Sequence, residues 1–161
     1  MKRISDYWIP CVMGVLVILL IAFLVLLQSD GKISDTSIED VSAAATDSLD
    51  MSAMQAADSN MIKRLYGLNP SEYEGIVLYY PVTNMDAQEL LIVRMKDTSQ
   101  QDTVAAAIES RLTAQKNSFE GYGVEQFELL SNSITEISGN YAFFIVHPDA
   151  KTVLANIRKV L

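Results

Sequence analysis

The sequence predicts an α+β protein: a transmembrane helix, then a small domain with a four-stranded antiparallel sheet packed by helices on one face. Three observations carry this. An uncharged apolar run extends from Ile9 to Leu27. Four short apolar segments further on are bounded by Pro, Gly and Asn, as strands are. The stretches between them carry apolar residues at helical spacing.

The apolar run has 19 residues, of which 14 are Val, Ile, Leu or Phe. At about 1.5 Å per residue such a helix spans about 28 Å, close to the hydrocarbon core of about 30 Å. Tyr7 and Trp8 precede it at aromatic-belt depth, and Pro10 falls in a first turn. Lys2 and Arg3 lie before it; Asp30, Lys32 and Asp35 follow. The positive-inside rule then makes 1–8 a cytoplasmic tail and puts everything after the run outside, in a single-pass arrangement. A cleaved signal peptide is the competing reading, but its apolar region is shorter and Ser29-Asp30-Gly31 is a poor cleavage site. Cys11 opens the run rather than following it, which reads as an ordinary apolar-segment residue rather than a lipidation site.

Residues 28–58 hold seven acids against one Lys, with much Ser and Ala and no aromatic residue. This reads as an acidic, solvated tether. Within it Thr36 and Glu39 have capping-box spacing, and Ile38, Val41 and Ala45 share a helical face. A short amphipathic helix there would dock onto the domain that follows or onto a partner helix, the domain being favoured because small domains often cover a sheet this way.

The domain is expected over 59–161. Ser59 reads as the N-cap of a helix through Tyr66 stopped by Gly67, and Asn69-Pro70-Ser71 as a turn. Ile76–Tyr80 is a strand ended by Pro81; Leu90–Met95 is a second strand, antiparallel to the first because the connection is short. Val104, Ile108, Leu112, Gln115 and Phe119 mark a long helix, opened by a capping box at Thr98 and Gln101 and broken by Gly121-Tyr122-Gly123. A shorter helix carries Val124, Phe127 and Leu130. Ile134–Ile137 and Tyr141–His147 are strands joined by the Gly139-Asn140 turn, and Pro148 opens a last helix with Ala150, Val153, Leu154, Ile157 and Leu161 on one face. The order is α-ββ-αα-ββ-α.

Composition narrows the function classes. The net charge is −8 and no basic patch is visible, which argues against a nucleic-acid binder. One Cys and one His leave no zinc site and no disulfide framework, and no cofactor motif is present. His147 with Asp149 and a Ser would imitate a hydrolytic triad; a His at a strand end beside a helix start is the simpler reading. Glu72 and Glu74, and the pair Asp86 and Glu89, flank strands and read as solvated loop acids unless a cleft brings a pair together. Gly121-Tyr122-Gly123 is a helix–helix turn or a weak anion nest. Six tyrosines follow the apolar run. Tyr79 and Tyr80 point to opposite faces of one strand, so one is expected outward. With Tyr122 they form the candidate interaction surface. No catalytic, cofactor-binding or metal-binding residue is assigned.

Several segments resemble a known family: Leu65-Tyr66-Gly67-Leu68-Asn69-Pro70, Glu89 to Asp97, Gln115 to Tyr122 with Glu125-Gln126, and Gly139-Asn140-Tyr141. The chain is similar to the domain-of-unknown-function 4358 family of Gram-positive bacteria over roughly 36–161. The resemblance implies a small extracytoplasmic domain held by a lipid or a membrane helix, and an accessory role in cell-envelope modification. It implies no activity and maps no catalytic residue. Members often carry a lipobox, and this chain does not.

Together these readings point to a membrane-anchored interaction module outside the cell. Its expected contacts are the membrane through residues 9–27 and a membrane protein or an envelope polymer, with no nucleic acid. An unrecognised cell-wall hydrolase or transferase is the alternative. A sensory domain is disfavoured, because eight cytoplasmic residues leave no room for an output domain.

Overall fold

The computed structural model describes residues 12–20, 33–47 and 49–161. Residues 12–20 are helical and form part of one compact unit, Met1–Gly31; the second unit is Lys32–Leu161.

The expected transmembrane helix is not found among the described residues, where no helix is long and apolar enough to cross a membrane. The described helical part of the 9–27 run is 12–20, and nine residues span only about 14 Å. The remainder of that run, and the flanking Lys2, Arg3, Tyr7, Trp8 and Asp30, lie outside the described residues.

The second unit is built on an antiparallel sheet. Its strands are β1 (Met54–Ala56), β2 (Gly75–Pro81), β3 (Glu89–Arg94), β4 (Ile134–Ser138) and β5 (Tyr141–Val146), in the order β1-β2-β3-β5-β4. Five helices accompany them: α1 (Ile38–Thr46), α2 (Ser59–Tyr66), α3 (Gln101–Phe119), α4 (Val124–Ser131) and α5 (Ala150–Val160).

Two expectations about the sheet are corrected. It has five strands rather than four, because the three residues of β1 pair with β2 in the register Met54↔Pro81 and Ala56↔Tyr79. Helices also cover both faces rather than one. On one face α2, α3 and α4 pack Ile62, Tyr66, Val104, Ile108 and Leu130 against Leu78, Leu91, Val93, Phe144 and Val146. On the other, α1 and α5 pack Val41, Ala45, Val153, Leu154 and Ile157 against Leu90, Ile92, Phe143 and Ile145. The physical reason lies in β3 and β5, which are apolar at consecutive positions; all six residues of β5 are buried. Strands that read Leu-Leu-Ile-Val and Phe-Phe-Ile-Val need a cover on both sides. Full burial of each Phe or Leu side chain contributes about 1.5–3 kcal/mol, so leaving one face open would forfeit several such terms.

Local chemistry sets the element ends. Asp58, one residue before the expected Ser59, caps α2 by accepting from the Met61 N–H at 2.7 Å, and Gly67 ends it in the left-handed region at φ 69°. The capping box before α3 is Asp97 with Gln100, one residue earlier than the expected pair. For α1 the cap is Ser37, which accepts from the Asp40 N–H at 3.1 Å. Thr36 instead donates its hydroxyl to the Val160 carbonyl at 2.7 Å.

The acidic segment before 59 thus supplies a helix and an edge strand to the domain. Its entry is tied down by Asn140 in the β4–β5 turn. Asn140 Nδ2 donates to the Ser34 carbonyl at 3.0 Å, and its Oδ1 accepts from the Ser34 N–H at 2.9 Å. The Tyr141 hydroxyl adds a bond to the Thr36 carbonyl at 2.7 Å. A side-chain amide here imitates one more pair of ladder hydrogen bonds.

Asn140→Ala removes both bonds and strands the buried Ser34 backbone groups. The expected cost is about 1–3 kcal/mol, read as a lower melting temperature, with amide exchange accelerating at residues 34–41 before it does in β3.

Candidate functional site

The polar centre of the domain is Glu89, the first residue of β3. Asp86 prepares its position: Asp86 Oδ1 accepts from the Ala87 N–H at 2.7 Å and the Gln88 N–H at 3.1 Å, closing the turn into the strand. Glu89 then points to the face covered by α2 and α3, and its side chain is 0 % exposed.

Four donors fill its carboxylate. The Tyr66 hydroxyl, at the end of α2, donates to Oε1. Arg111 of α3 donates from Nε to Oε1 at 3.1 Å and from Nη2 to Oε2 at 2.6 Å. Gln115, one turn further on, donates from Nε2 to Oε2 at 3.0 Å. A bidentate guanidinium and two further donors satisfy both oxygens, the condition under which a buried charge is tolerated. Burial opposes the Arg111 charge, but the bonds and charge of Glu89 outweigh it and its pKa is raised. Burial, then the Glu89 charge, push the Tyr66 hydroxyl well above the usual tyrosine value, so it stays a neutral donor.

Arg111 and Gln115 also line a cleft of about 460 Å³. Its other walls are Gln55 of β1, Tyr80 of β2, Val82 and Thr83 after β2, Met61 and Arg64 of α2, and Tyr122 after α3. The size suits a small ligand or one unit of a polymer. Gln115 Oε1 is buried and has no hydrogen-bond partner. An atom of that kind costs about 1–3 kcal/mol and calls for an explanation.

The three candidate tyrosines separate. Tyr80 lines the cleft, and so does Tyr122, which is 64 % exposed and packs its ring 6.0 Å from Phe119. Tyr79 lies on the opposite sheet face, against the α1–α5 layer. Of the acids, Glu72 and Glu74 are exposed, while Asp86 shapes a turn and Glu89 is buried rather than solvated. His147 Nδ1 accepts from the Asp149 N–H at 3.0 Å, a local cap at the start of α5. In the Gly121-Tyr122-Gly123 turn, the N–H groups of Tyr122 and Gly123 both donate to the Phe119 carbonyl, so they are not aimed at an anion. Among the described residues no group of three or more His, Cys, Asp or Glu is placed to hold a metal.

Sequence reasoning missed Arg111 and the partnership of Glu89. The available signal was Gln115, a polar residue on the apolar face of a helix, with Arg111 one turn before it.

A family model described as "Domain of unknown function (DUF4358)" matches residues 47–147, a span that contains the whole Glu89 cluster and the cleft. No curated protein and no solved structure matches the chain.

Two outcomes test this geometry. Glu89→Gln keeps the shape but leaves the half-buried Arg111 without its counter-charge; a loss of about 3–5 kcal/mol in denaturant unfolding is expected. Tyr66 has a folded-state pKa above its unfolded value of 10.0, so its contribution is complete below pH 10 and fades as pH rises beyond it. Tyr66→Phe is therefore less stable than the parent at pH 7, by about 1–2 kcal/mol, and the gap narrows above pH 10 in paired unfolding curves.

Proposed function

Because the chain belongs to this family, defined by a domain of unknown function, we propose a reading from its own geometry. The protein is an accessory binding module of the cell envelope, and it holds a partner or an envelope polymer in the cleft beside Glu89. The observation that carries this is the use of Glu89. Both oxygens are spent on holding Tyr66, Arg111 and Gln115 in place, so this buried carboxylate behind the cleft wall works as a brace rather than as a proton acceptor.

A cleft wall assembled in advance loses little ordering entropy on binding. The exposed residues around it add contact area. Val82, Met85, Tyr122 and Val124 are large apolar side chains left open near the β2–β3 and α3–α4 connections. A lone exposed apolar residue needs no explanation, but Val82 and Tyr122 are both in the cleft lining, and exposed apolar side chains at a cleft suit a docking surface. The envelope setting draws its support from the sequence, through the family resemblance over 36–161.

The test is site-specific photo-cross-linking in cells with full-length protein. A cross-linker at Tyr122 should capture a discrete partner or a polymer. One at Lys151, exposed on α5, should not. Equal capture from both positions, or none from Tyr122, removes the reading.

A further inference from the structure

Gln115 restricts what the cleft can hold. Its side chain lines the cleft while the residue is only 6 % exposed. Nε2 donates to Glu89 Oε2 at 3.0 Å. An ionised carboxylate only accepts, so the amide cannot turn round, and Oε1 must be the end left over. That oxygen is buried without a partner, and it needs a donor. Arg111 stands one helical turn before it. Its Nε and Nη2 are committed to Glu89, which leaves Nη1 as the edge of the guanidinium that the carboxylate does not engage. One wall therefore offers an acceptor and a donor about 5–6 Å apart at their helix positions.

Charge narrows the choice further. The ionised residues of the lining are Arg64, Arg111 and Asp86, and Glu89 lies directly behind Arg111. Two cations and two anions balance. An anionic ligand on Arg111 would sit close to Glu89, and like charges at that range repel. The remaining lining joins hydroxyl, amide and aromatic side chains, among them Thr83, Gln55, Tyr80 and Tyr122, to the apolar Met61, Leu65, Pro81 and Val82. An amphipathic ligand suits such a surface, with polar groups at its edge and C–H groups on its face.

We propose that the cleft binds a neutral hydroxylated ligand, a sugar ring or a polyol chain. One hydroxyl donates to Gln115 Oε1, a second accepts from Arg111 Nη1, and a C–H face lies on Tyr122. This rests on the binding-module reading and deepens it. Because Oε1 lies behind the cleft surface, engagement requires the Gln115 side chain to shift, which makes its amide resonance the reporter.

The experiment is an NMR titration of isotope-labelled full-length protein with three separate probes: cellobiose, ribitol and inorganic phosphate. The expected result is saturable, millimolar shifts of the Gln115 side-chain amide and the Tyr122 backbone amide with cellobiose or ribitol, unchanged at high salt. Whichever of the two binds tells a ring from an open chain. Tyr122→Ala, at an exposed ring whose loss leaves the core intact, should weaken that binding about tenfold. Gln115→Leu should abolish it, and if that variant fails to fold, Tyr122→Ala still decides. Shifts from phosphate alone that fade as salt rises would make this an anion site and overturn the proposal, with the cleft still a binding site. Silence of the cleft residues towards all three probes overturns it too. The Tyr122 cross-link then reports separately whether the cleft is used at all.

Discussion

One buried carboxylate organises the half of the molecule that carries the cleft. Glu89 sits where β3 begins, and its four hydrogen bonds reach α2 through Tyr66 and α3 through Arg111 and Gln115. Apolar packing alone would let α3 slide or rotate along the sheet at modest cost, since Leu, Ile and Val surfaces are forgiving of register. A bidentate guanidinium is not. Shifting α3 by one residue would bury Glu89 without Arg111, and an unpaired charge in the core costs more than several apolar contacts return. The net stability of such a pair is small beside an apolar replacement. Its effect is to exclude the alternatives, which fixes where the walls of the cleft stand.

The other half obeys a different rule. On the face covered by α1 and α5 the contacts are aliphatic and aromatic, with Tyr141 and Phe143 stacked at 5.7 Å between ring centres. Polar bonds enter at the rim, where Asn140 and Tyr141 hold residues 34–36, Thr36 bonds the Val160 carbonyl and Arg158 of α5 pairs with Glu136 of β4. Both helices of this layer lie outside 47–147, the span the family model matches, whereas all five strands and the whole cleft lie inside it. The two faces thus divide the work: one closes the core, the other presents the site.

Much of this was legible in the residues. Pro81 and the Gly139-Asn140 pair mark strand ends, and Gly139 adopts φ 56° as the first position of a two-residue turn requires. The capping residues located α2 and α3 to within a residue or two. What misled was a question of period. A sheet packed on one face needs strands with one apolar side, yet Leu90, Leu91, Ile92 and Val93 are all apolar, and that continuous run is itself the mark of a doubly covered strand. β1 was illegible for another reason: three residues hold no period, and they are a strand only because Tyr79, Tyr80 and Pro81 pair with them. The candidate site was half legible. Tyrosines on a strand and in a turn suggested a surface, and two of the three border the cleft. Glu89 read as a loop acid because its partners lie 22 and 26 residues further along the chain, beyond any local pattern.

The same brace explains why the cleft can be polar and still be defined. Polar side chains on a surface sample many rotamers, and a ligand must order each of them at a cost of about 0.5–1.5 kcal/mol. Arg111 and Gln115 are already ordered, because Glu89 orders them before anything arrives. Arg64 and Tyr122, also in the lining, are the exposed side chains that a ligand meets without displacing a buried bond. The floor, held by Glu89, sets which hydrogen-bond pattern is accepted once the Gln115 side chain shifts to meet it, and the exposed rim sets how much of the ligand is covered. Specificity in such a site resides in the floor, since a ligand that leaves Gln115 Oε1 unpaired gains contact at the rim without relieving the buried acceptor.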